Sequence, residues 1–187
     1  MPEDYDIEDI FSNCNKKKKK NSKDKGARGE RDLVSIFNKR FSSILLKNLN
    51  WGKFYRSVGS GSRWSQATLS DDVLEMYSGD LICKNFNYVI ESKIGYNHID
   101  LFSILCGNSK EIDDFLNQVT RDSERCRKKP MLIWKKNRKP RLAFVLSLEK
   151  FENLFDYKII YKNWTIILLD TLLQKLPDEF FFNDTGI

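Results

Sequence analysis

The amino-acid sequence predicts a mixed α/β fold in which helices flank a central sheet. One observation is the order of the hydrophobic patterns, which is helix, three strands, helix and two further strands. A second observation is composition, since 41% of the 187 residues are hydrophobic and can bury one core. The acidic N-terminus lacks the apolar run of a secretory signal, and no apolar run reaches the roughly 18 residues of a membrane span. We therefore expect a cytoplasmic protein.

The N-terminal residues have a composition unlike that of the rest of the chain. An acidic run is followed by the low-complexity stretch "NKKKKKNSKDKG". We predict a flexible charged tail over residues 1–25 and a single domain over residues 26–187 that ends in a small strand and helix. The lysine run is compatible with a nuclear-import signal or with a flexible arm that contacts phosphates.

The first helix is predicted to begin at Ala27. Its inward stripe consists of apolar residues at helical spacing: Leu33, Val34, Phe37 and Phe41. Glu30 lies on the same stripe, where an acidic residue needs a reason. The stretch "GKFYRSV" then predicts a strand, "GSGSR" a flexible loop, and "LSDDVLEMY" a short helix capped by Ser70.

Residues 79–95, "GDLICKNFNYVIESKIG", predict a β-hairpin with an unusual placement of charge. Asp80 opens its first strand, and Glu91 and Lys93 share one face of the second because side chains alternate along a strand. Two carboxylates that project toward one point repel each other unless a cation lies between them. Oxygen ligands suit Mg²⁺, and Lys93 would lie beside the ion and stabilise charge on a phosphate.

Other interpretations of these acids remain open at this point. An amphipathic hairpin with its polar face in water would also alternate in this way. Asp71, Asp72 and Glu75 could replace Asp80 as ligands, although their place at the start of a predicted helix explains these acids better. The four cysteines are scattered and the single histidine, His98, is expected in a surface loop, so we expect free thiols and no zinc site.

The second half of the chain alternates a helix with strands. Residues 108–129 predict a helix that Asn108 or Ser109 caps and that ends before Pro130. Two strands follow, "MLIWKK" and "RLAFVLSL", joined by the turn "NRKP". Near the end, "WTIILL" predicts a last strand and "TLLQKL" a short helix.

Positive charge is concentrated in two stretches. Residues 121–141 hold ten Lys or Arg residues and two acids, and residues 16–31 hold nine and two. Such clusters on both sides of the hairpin favour a polyanionic partner, namely nucleic acid, over a merely solvated basic face.

The motifs together resemble the PD-(D/E)xK nuclease superfamily, and within it the Holliday-junction resolvases of archaeal and phage type. The resemblance covers residues 26–146 and rests on "KGARGERDLVSIF", "FYRSVGSGSR", "SGDLI" and "YVIESK". It implies a restriction-endonuclease-like core of α-βββ-α-ββ order. Gly79 stands where the name of the motif has proline, and the stretch "RWSQATLSDDVLEMYS" is longer than the resolvases usually have.

The resemblance also implies the roles of individual residues. It assigns Asp80, Glu91 and Glu30 to a Mg²⁺ or Mn²⁺ site, and it adds Lys93 and Ser60 as catalytic residues. Gln118 matches a glutamine that the family often carries in the helix after the motif. The DNA contacts that we expect come from this glutamine and from basic residues: Arg28, Arg56, Arg63, Gln118, Arg121, Arg125 and Lys128.

The expected activity is metal-dependent hydrolysis of DNA phosphodiester bonds. The family resolves four-way junctions as two-fold dimers in DNA recombination and repair, because two symmetric nicks need two sites. A DNA-end or restriction-type nuclease of the same fold is the alternative enzyme. A DNA-binding protein without catalytic activity is the alternative from another class.

Overall fold

The structure is a computed structural model that describes residues 22–57, 78–146 and 148–182. Its helices are α1 (Ser22–Arg40), α2 (Ser42–Lys47), α3 (Leu101–Leu105), α4 (Lys110–Arg125), α5 (Leu169–Lys175) and α6 (Asp178–Phe181). Its strands are β1 (Tyr55–Arg56), β2 (Leu81–Ile82), β3 (Tyr88–Ile94), β4 (Lys129–Lys135), β5 (Arg141–Val145), β6 (Ile159–Tyr161) and β7 (Trp164–Leu168). Two 3₁₀ turns cover Leu49–Trp51 and Glu149–Leu154.

These strands form one sheet of seven in the order β1-β2-β3-β4-β5-β7-β6. Strands β3 and β4 are parallel, and the other neighbouring pairs are antiparallel. A parallel pair needs a crossover connection, which the chain makes through α3 and α4. The sheet is therefore mixed and carries helices on both faces, so the predicted α/β fold with α-βββ-α-ββ order is confirmed.

Helix α1 covers one face of the sheet because its apolar stripe faces inward. Leu33, Phe37 and Phe41 are fully buried, as their spacing predicted. The helix begins at Ser22 rather than at Ala27, since its first turn contains no apolar residue that would reveal it. It ends at Arg40, so α2 is a separate short helix and not an extension of α1.

An aromatic cluster fills the core between α1, the β2–β3 turn and the C-terminal helices. Neighbouring ring centroids lie 5.0–6.4 Å apart, a range in which edge-to-face and offset contacts are favourable. The members of this aromatic cluster are Phe37, Phe41, Phe54, Phe86, Phe181 and Phe182. Full burial of each ring contributes on the order of 1.5–3 kcal/mol to folding.

Arg40 ties the end of α1 to the C-terminal helices. Its Nη1 lies 2.7 Å from Asp178 Oδ1, and its Nε and Nη2 donate to the carbonyls of Leu173 and Leu176. The C-terminal strand and helices are therefore packed into the same core as α1. These are the elements that the sequence predicted as a small addition at the end of the domain.

Helix α4 covers the opposite face of the sheet with a second core. Ile112, Leu116 and Val119 are buried at helical spacing against residues such as Leu132 and Trp134 of β4. Ser109 is the N-cap residue, one of the two that the sequence suggested. No helix in the described residues is both long enough and apolar enough to cross a membrane.

Short elements account for the differences from the prediction. Strand β1 is only two residues long, and no pattern in the sequence indicated α3, β6 or α6, which are too short to show a periodicity. The predicted helix "LSDDVLEMY" and the loop "GSGSR" lie outside the described residues, as does the tail up to residue 21. The tail therefore stays a prediction.

Candidate active site

The strand pairing brings the predicted acids together at one place, which we call the acid site (Asp80, Glu91 and Lys93). Leu81 of β2 pairs with Ile90 of β3 in antiparallel register. The next positions along the two strands, Asp80 and Glu91, are therefore opposite each other. Because side chains alternate, Glu91 and Lys93 project from one face of β3, toward α4.

Gly79 allows the chain to enter the acid site. Its φ angle is +76°, and a Cβ atom there would lie 2.6 Å from the carbonyl oxygen of Ile90. Proline has a φ near −65° and could not adopt this conformation. The glycine that replaces the proline of the motif's name is thus required by the backbone of this chain.

Asp80 is held in a buried position immediately before β2. The residue is only 8% exposed, and its Oδ2 accepts a hydrogen bond of 2.7 Å from the backbone amide of Ser92. Burial, followed by the negative charge of Glu91, raises the pKa of Asp80 well above its ordinary value. The ionised form is therefore unfavourable unless a cation is close.

Glu91, Lys93 and Gln118 form a closed set of hydrogen bonds between β3 and α4. The Nζ atom of Lys93 donates to Glu91 Oε1 at 2.5 Å and to Gln118 Oε1 at 3.0 Å. The Nε2 atom of Gln118 donates to the same Glu91 oxygen at 2.9 Å. The face of the Phe115 ring lies 5.1 Å from Lys93 Nζ. These contacts hold the ammonium group of Lys93 between β3 and α4.

The charges of this set depend on one another. Burial raises the pKa of Glu91, while the charge and hydrogen bond of Lys93 oppose this shift. Burial alone would lower the pKa of Lys93, but the attraction of Glu91 and of Asp80 outweighs it and raises that pKa. Lys93 is therefore a fully charged cation at neutral pH, next to two acids.

Glu30 reaches the acid site from α1, on the other side of the sheet edge. The helix approaches β3 so closely at Gly29 that a Cβ atom there would overlap Ile94 Cδ1. Glu30 is only 9% exposed, and its negative charge also raises the pKa of Asp80. Its Oε2 atom lies 2.6 Å from Nη2 of Arg56 in β1, so its partner in this structure is an arginine.

The chemistry of the two opposed carboxylates suits a divalent cation. In the part of the chain that the structure describes, no group of three or more His, Cys, Asp or Glu side chains could hold a metal ion. However, Mg²⁺ commonly binds through one or two carboxylates and completes its shell with water and phosphate oxygens. The second oxygens, Asp80 Oδ1 and Glu91 Oε2, accept no hydrogen bond from the described residues. Asp80 and Glu91 could thus hold the ion, with Glu30 nearby.

The predicted DNA contacts fall into three groups. Arg56 pairs with Glu30, and Gln118 faces Glu91 and Lys93 rather than solvent. Arg28 is exposed on α1, and the others are exposed or half-buried at the end of α4: Arg121, Arg125 and Lys128. Ser60 and Arg63 lie outside the described residues, together with the alternative ligands Asp71, Asp72 and Glu75.

Asp122 is an acid near the site that sequence reasoning missed. It lies one helical turn beyond Gln118 on α4, its negative charge raises the pKa of Glu91, and burial raises its own pKa. Arg125 Nη1 is 3.4 Å from its Oδ1. The sequence offered one signal, namely that Asp122 follows Gln118 by four residues and therefore lies on the same face of the helix. This signal pointed to the site only once the structure had shown that Gln118 faces Glu91 and Lys93.

Comparison with known proteins identifies the family. The family model described as "Phage putative PDDEXK endonuclease" matches residues 21–179, which is well over half of the 187 residues. No curated protein and no solved structure gave a significant match. The matched range contains the hairpin, α1 and α4, and hence every described residue of the site. The chain therefore belongs to this phage PD-(D/E)xK endonuclease family and is a nuclease of that type.

Proposed function

We propose that the protein is a metal-dependent DNA endonuclease whose catalytic residues are Asp80, Glu91 and Lys93, assisted by Glu30. The observation that carries this proposal is the pair of buried, opposed carboxylates whose pKa values are both raised. Such a pair is unfavourable in the absence of a cation and becomes favourable when one binds. Family membership supports the reaction class.

Each residue of the acid site and its neighbours would have a distinct role in catalysis. Asp80 and Glu91 would hold Mg²⁺ or Mn²⁺, which supplies Lewis-acid activation of a phosphate and a water when bound. The Nζ atom of Lys93 would donate hydrogen bonds to the scissile phosphate as its negative charge increases. Gln118 would keep the Lys93 ammonium and the Glu91 carboxylate in position. Ser60, which lies outside the described residues, would contact the scissile region.

We further propose that the substrate is branched DNA, in particular a four-way junction that a homodimer would nick on two opposed strands. The support is the resolvase-like "RSVGSGSR" stretch. Such an activity belongs to DNA recombination and repair. A phage protein of this kind would act in the cytoplasm of its bacterial host, where the lysine run would contact phosphates rather than serve nuclear import.

One cleavage experiment tests the nuclease assignment. Labelled four-way junction, duplex and single-stranded DNA are incubated with the protein, with and without Mg²⁺. Cleavage should require the divalent ion and should be lost in Asp80→Asn and in Glu91→Gln, while DNA affinity is retained because phosphate contacts are unchanged. Asp114→Asn and Glu179→Gln are matched controls at exposed positions and should cleave normally. Full activity of either site variant with Mg²⁺ would refute the assignment.

The choice of substrate is tested in the same assay. A resolvase recognises shape, so junction binding should be much tighter than binding to a duplex with the same arms, with little sequence preference. Deleting residues 1–25 should lower affinity and leave this preference intact. Equal cutting of duplex ends or of a short duplex sequence would replace the junction with the alternative substrate and leave the nuclease assignment in place.

The basic end of α4 is proposed to contact DNA phosphates. Neutralising Arg121, Arg125 and Lys128 together should weaken binding to all sequences. It should also reduce the slope of log affinity against log salt by roughly 0.9 for each phosphate that the protein no longer neutralises. An unchanged slope would show that this face is only solvated.

A further inference from the structure

A second basic surface lies on the other side of the acid site. It is a cleft of about 1040 Å³ between the N-terminal half of α1 and the turn that joins β4 to β5. We call it the basic cleft. Among the described residues, five basic side chains and one carboxylate contribute to its lining: Arg28, Lys135, Lys136, Arg138, Lys139 and Asp32.

The carboxylates of the described residues leave most of the charge of the basic cleft unpaired. Asp32 faces Arg141, with 3.6 Å between Oδ2 and Nη2. In the described residues, no carboxylate forms an ion pair with Arg28, Lys135, Arg138 or Lys139. Several unpaired cations around one concavity repel each other and create a strongly positive potential, which an anion relieves.

The β4–β5 turn holds these cations in a defined arrangement. The backbone amide of Asn137 donates to Asn97 Oδ1 at 2.8 Å, and the Nζ atom of Lys136 donates to the carbonyl of Ile99. The amide of Lys139 donates back to the carbonyl of Lys136 across the turn. A polyanion can therefore bind with little ordering of the backbone.

The basic cleft adjoins the acid site at one end of β3. Lys135 pairs with Ile94, the residue after Lys93, and Arg28 precedes the Gly29 that contacts Ile94. The basic end of α4 leads instead into the start of β4, which pairs with the start of β3. The two basic surfaces thus flank the acid site at opposite ends of the same strand.

We propose that the basic cleft binds the phosphate backbone of the DNA substrate, on the side of the acid site away from the end of α4. The inference deepens the proposed function and rests on its DNA substrate. Five cations from two separate parts of the chain fit a run of phosphates better than one small anion. Bound there, the backbone would pass Arg28 and Glu30 on its way to the acid site.

A charge-neutral variant of the turn tests this surface. In Lys135→Gln/Arg138→Asn/Lys139→Gln, asparagine is chosen at position 138 because it tolerates the positive φ of +59° found there. The control Lys39→Gln/Lys47→Gln/Lys150→Gln removes the same charge from exposed positions at the opposite end of the sheet. Binding of labelled duplex and four-way junction is measured in EDTA over a series of salt concentrations, after circular dichroism has shown that both variants are folded.

The cleft variant should reduce the slope of log affinity against log salt by roughly 2 to 3, since each neutralised phosphate accounts for about 0.9. The control should reduce it by less than about 1. Equal slopes for the two variants, or no DNA binding by the unmodified protein, would overturn the inference. The readout does not depend on cleavage. If the cleft variant shows the reduced salt slope but the unmodified protein never cleaves DNA, only the nuclease proposal is refuted. If the unmodified protein cleaves DNA but the salt slope of the cleft variant is unchanged, only the proposal for the basic cleft is refuted.

Discussion

The aromatic cluster and the acid site are both buried against the β2–β3 hairpin, yet burial has opposite consequences for them. Phe41 is fully buried and its ring contacts five others, so its removal from water stabilises the fold. Asp80 and Glu91 are almost as deeply buried, and their pKa values are raised because ionisation there is unfavourable. The metal-free protein therefore gains stability in the first region and loses it in the second.

This difference indicates which region serves the fold and which serves the chemistry. The aromatic contacts are satisfied within the chain and need no ligand. The acids are only partly satisfied, by Lys93, Gln118 and the amide of Ser92. Buried charges that lower stability are found mainly at functional sites, where the surrounding structure fixes their position and a bound ligand of opposite charge stabilises them. Four variants test this division, from the largest expected effect to the smallest.

Phe41→Ala should have the largest effect on stability. Removal of the ring and the cavity that remains should lower the free energy of unfolding by about 3–5 kcal/mol, and cleavage per folded molecule should be unchanged. Urea denaturation at pH 7 measures the first quantity. Leu49→Ala is the control, because Leu49 is 79% exposed and its truncation should matter little. A decrease below about 1 kcal/mol for Phe41→Ala would mean that the aromatic cluster does not dominate the fold.

Lys93→Ala should lower the cleavage rate on the order of 10²-fold or more, an effect comparable with that of Asp80→Asn, because it removes a donor positioned at the acid site. Initial cleavage rates with Mg²⁺, corrected for the folded fraction, measure it. The correction is needed since the variant also leaves Glu91 buried beside no cation. Lys110→Ala, at the exposed start of α4, is the control. A rate within about threefold of the unmodified protein would remove Lys93 from the catalytic residues.

Asp80→Asn should stabilise the metal-free protein at pH 8, by roughly 1 kcal/mol. The folded state has the higher pKa for Asp80, so it binds the proton more tightly than the unfolded chain does. Stability of the unmodified protein is therefore lost as pH rises above the ordinary value of 3.8 and through the raised pKa. Asparagine carries no charge and can still accept the hydrogen bond from Ser92.

Urea denaturation in EDTA between pH 5 and pH 8 measures this effect, and the advantage of the variant should grow with pH. Added Mg²⁺ should stabilise the unmodified protein and have little effect on Asp80→Asn, because ligands stabilise the state that binds them. If Asp80→Asn is less stable than the unmodified protein at pH 8 without metal, the ionised Asp80 carboxylate does not destabilise the folded state. Asp114→Asn again serves as the control.

Glu30→Gln should have the smallest effect, a decrease in cleavage of roughly threefold, corresponding to about 0.65 kcal/mol. Its charge acts on Asp80 from α1, but its direct partner is Arg56. Arg56→Gln and the double variant complete a thermodynamic cycle. If Glu30 and Arg56 act as a pair, the double variant should lose less cleavage activity than the sum of the losses, in free energy, of the two single variants. Strict additivity, or a decrease as large as that of Lys93→Ala, would assign Glu30 a direct role.

The long amphipathic elements could be predicted because their periodicity extends over many residues. Leu33 and Phe37 of α1 were placed inward by their spacing, and both are buried. The short elements could not be predicted in this way. Ile159–Tyr161 forms a strand only because β7 lies beside it, and Leu101–Leu105 forms a helix within the crossover between the parallel strands.

Strand alternation in the sequence already determined that Glu91 and Lys93 share a face, because a period of two is a local property of the backbone. The pairing of β2 with β3 then places Asp80, immediately before β2, opposite Glu91. Only the tertiary structure decided that Gln118 bonds both Glu91 and Lys93, that Glu30 pairs with Arg56, and that Arg28 adjoins the β4–β5 turn. These neighbours are distant along the chain, and they meet because α1 and α4 bury their apolar stripes on opposite faces of one sheet. The burial that raises the pKa values of the acids has the same origin, since no local pattern determines how completely two helices exclude water from a strand.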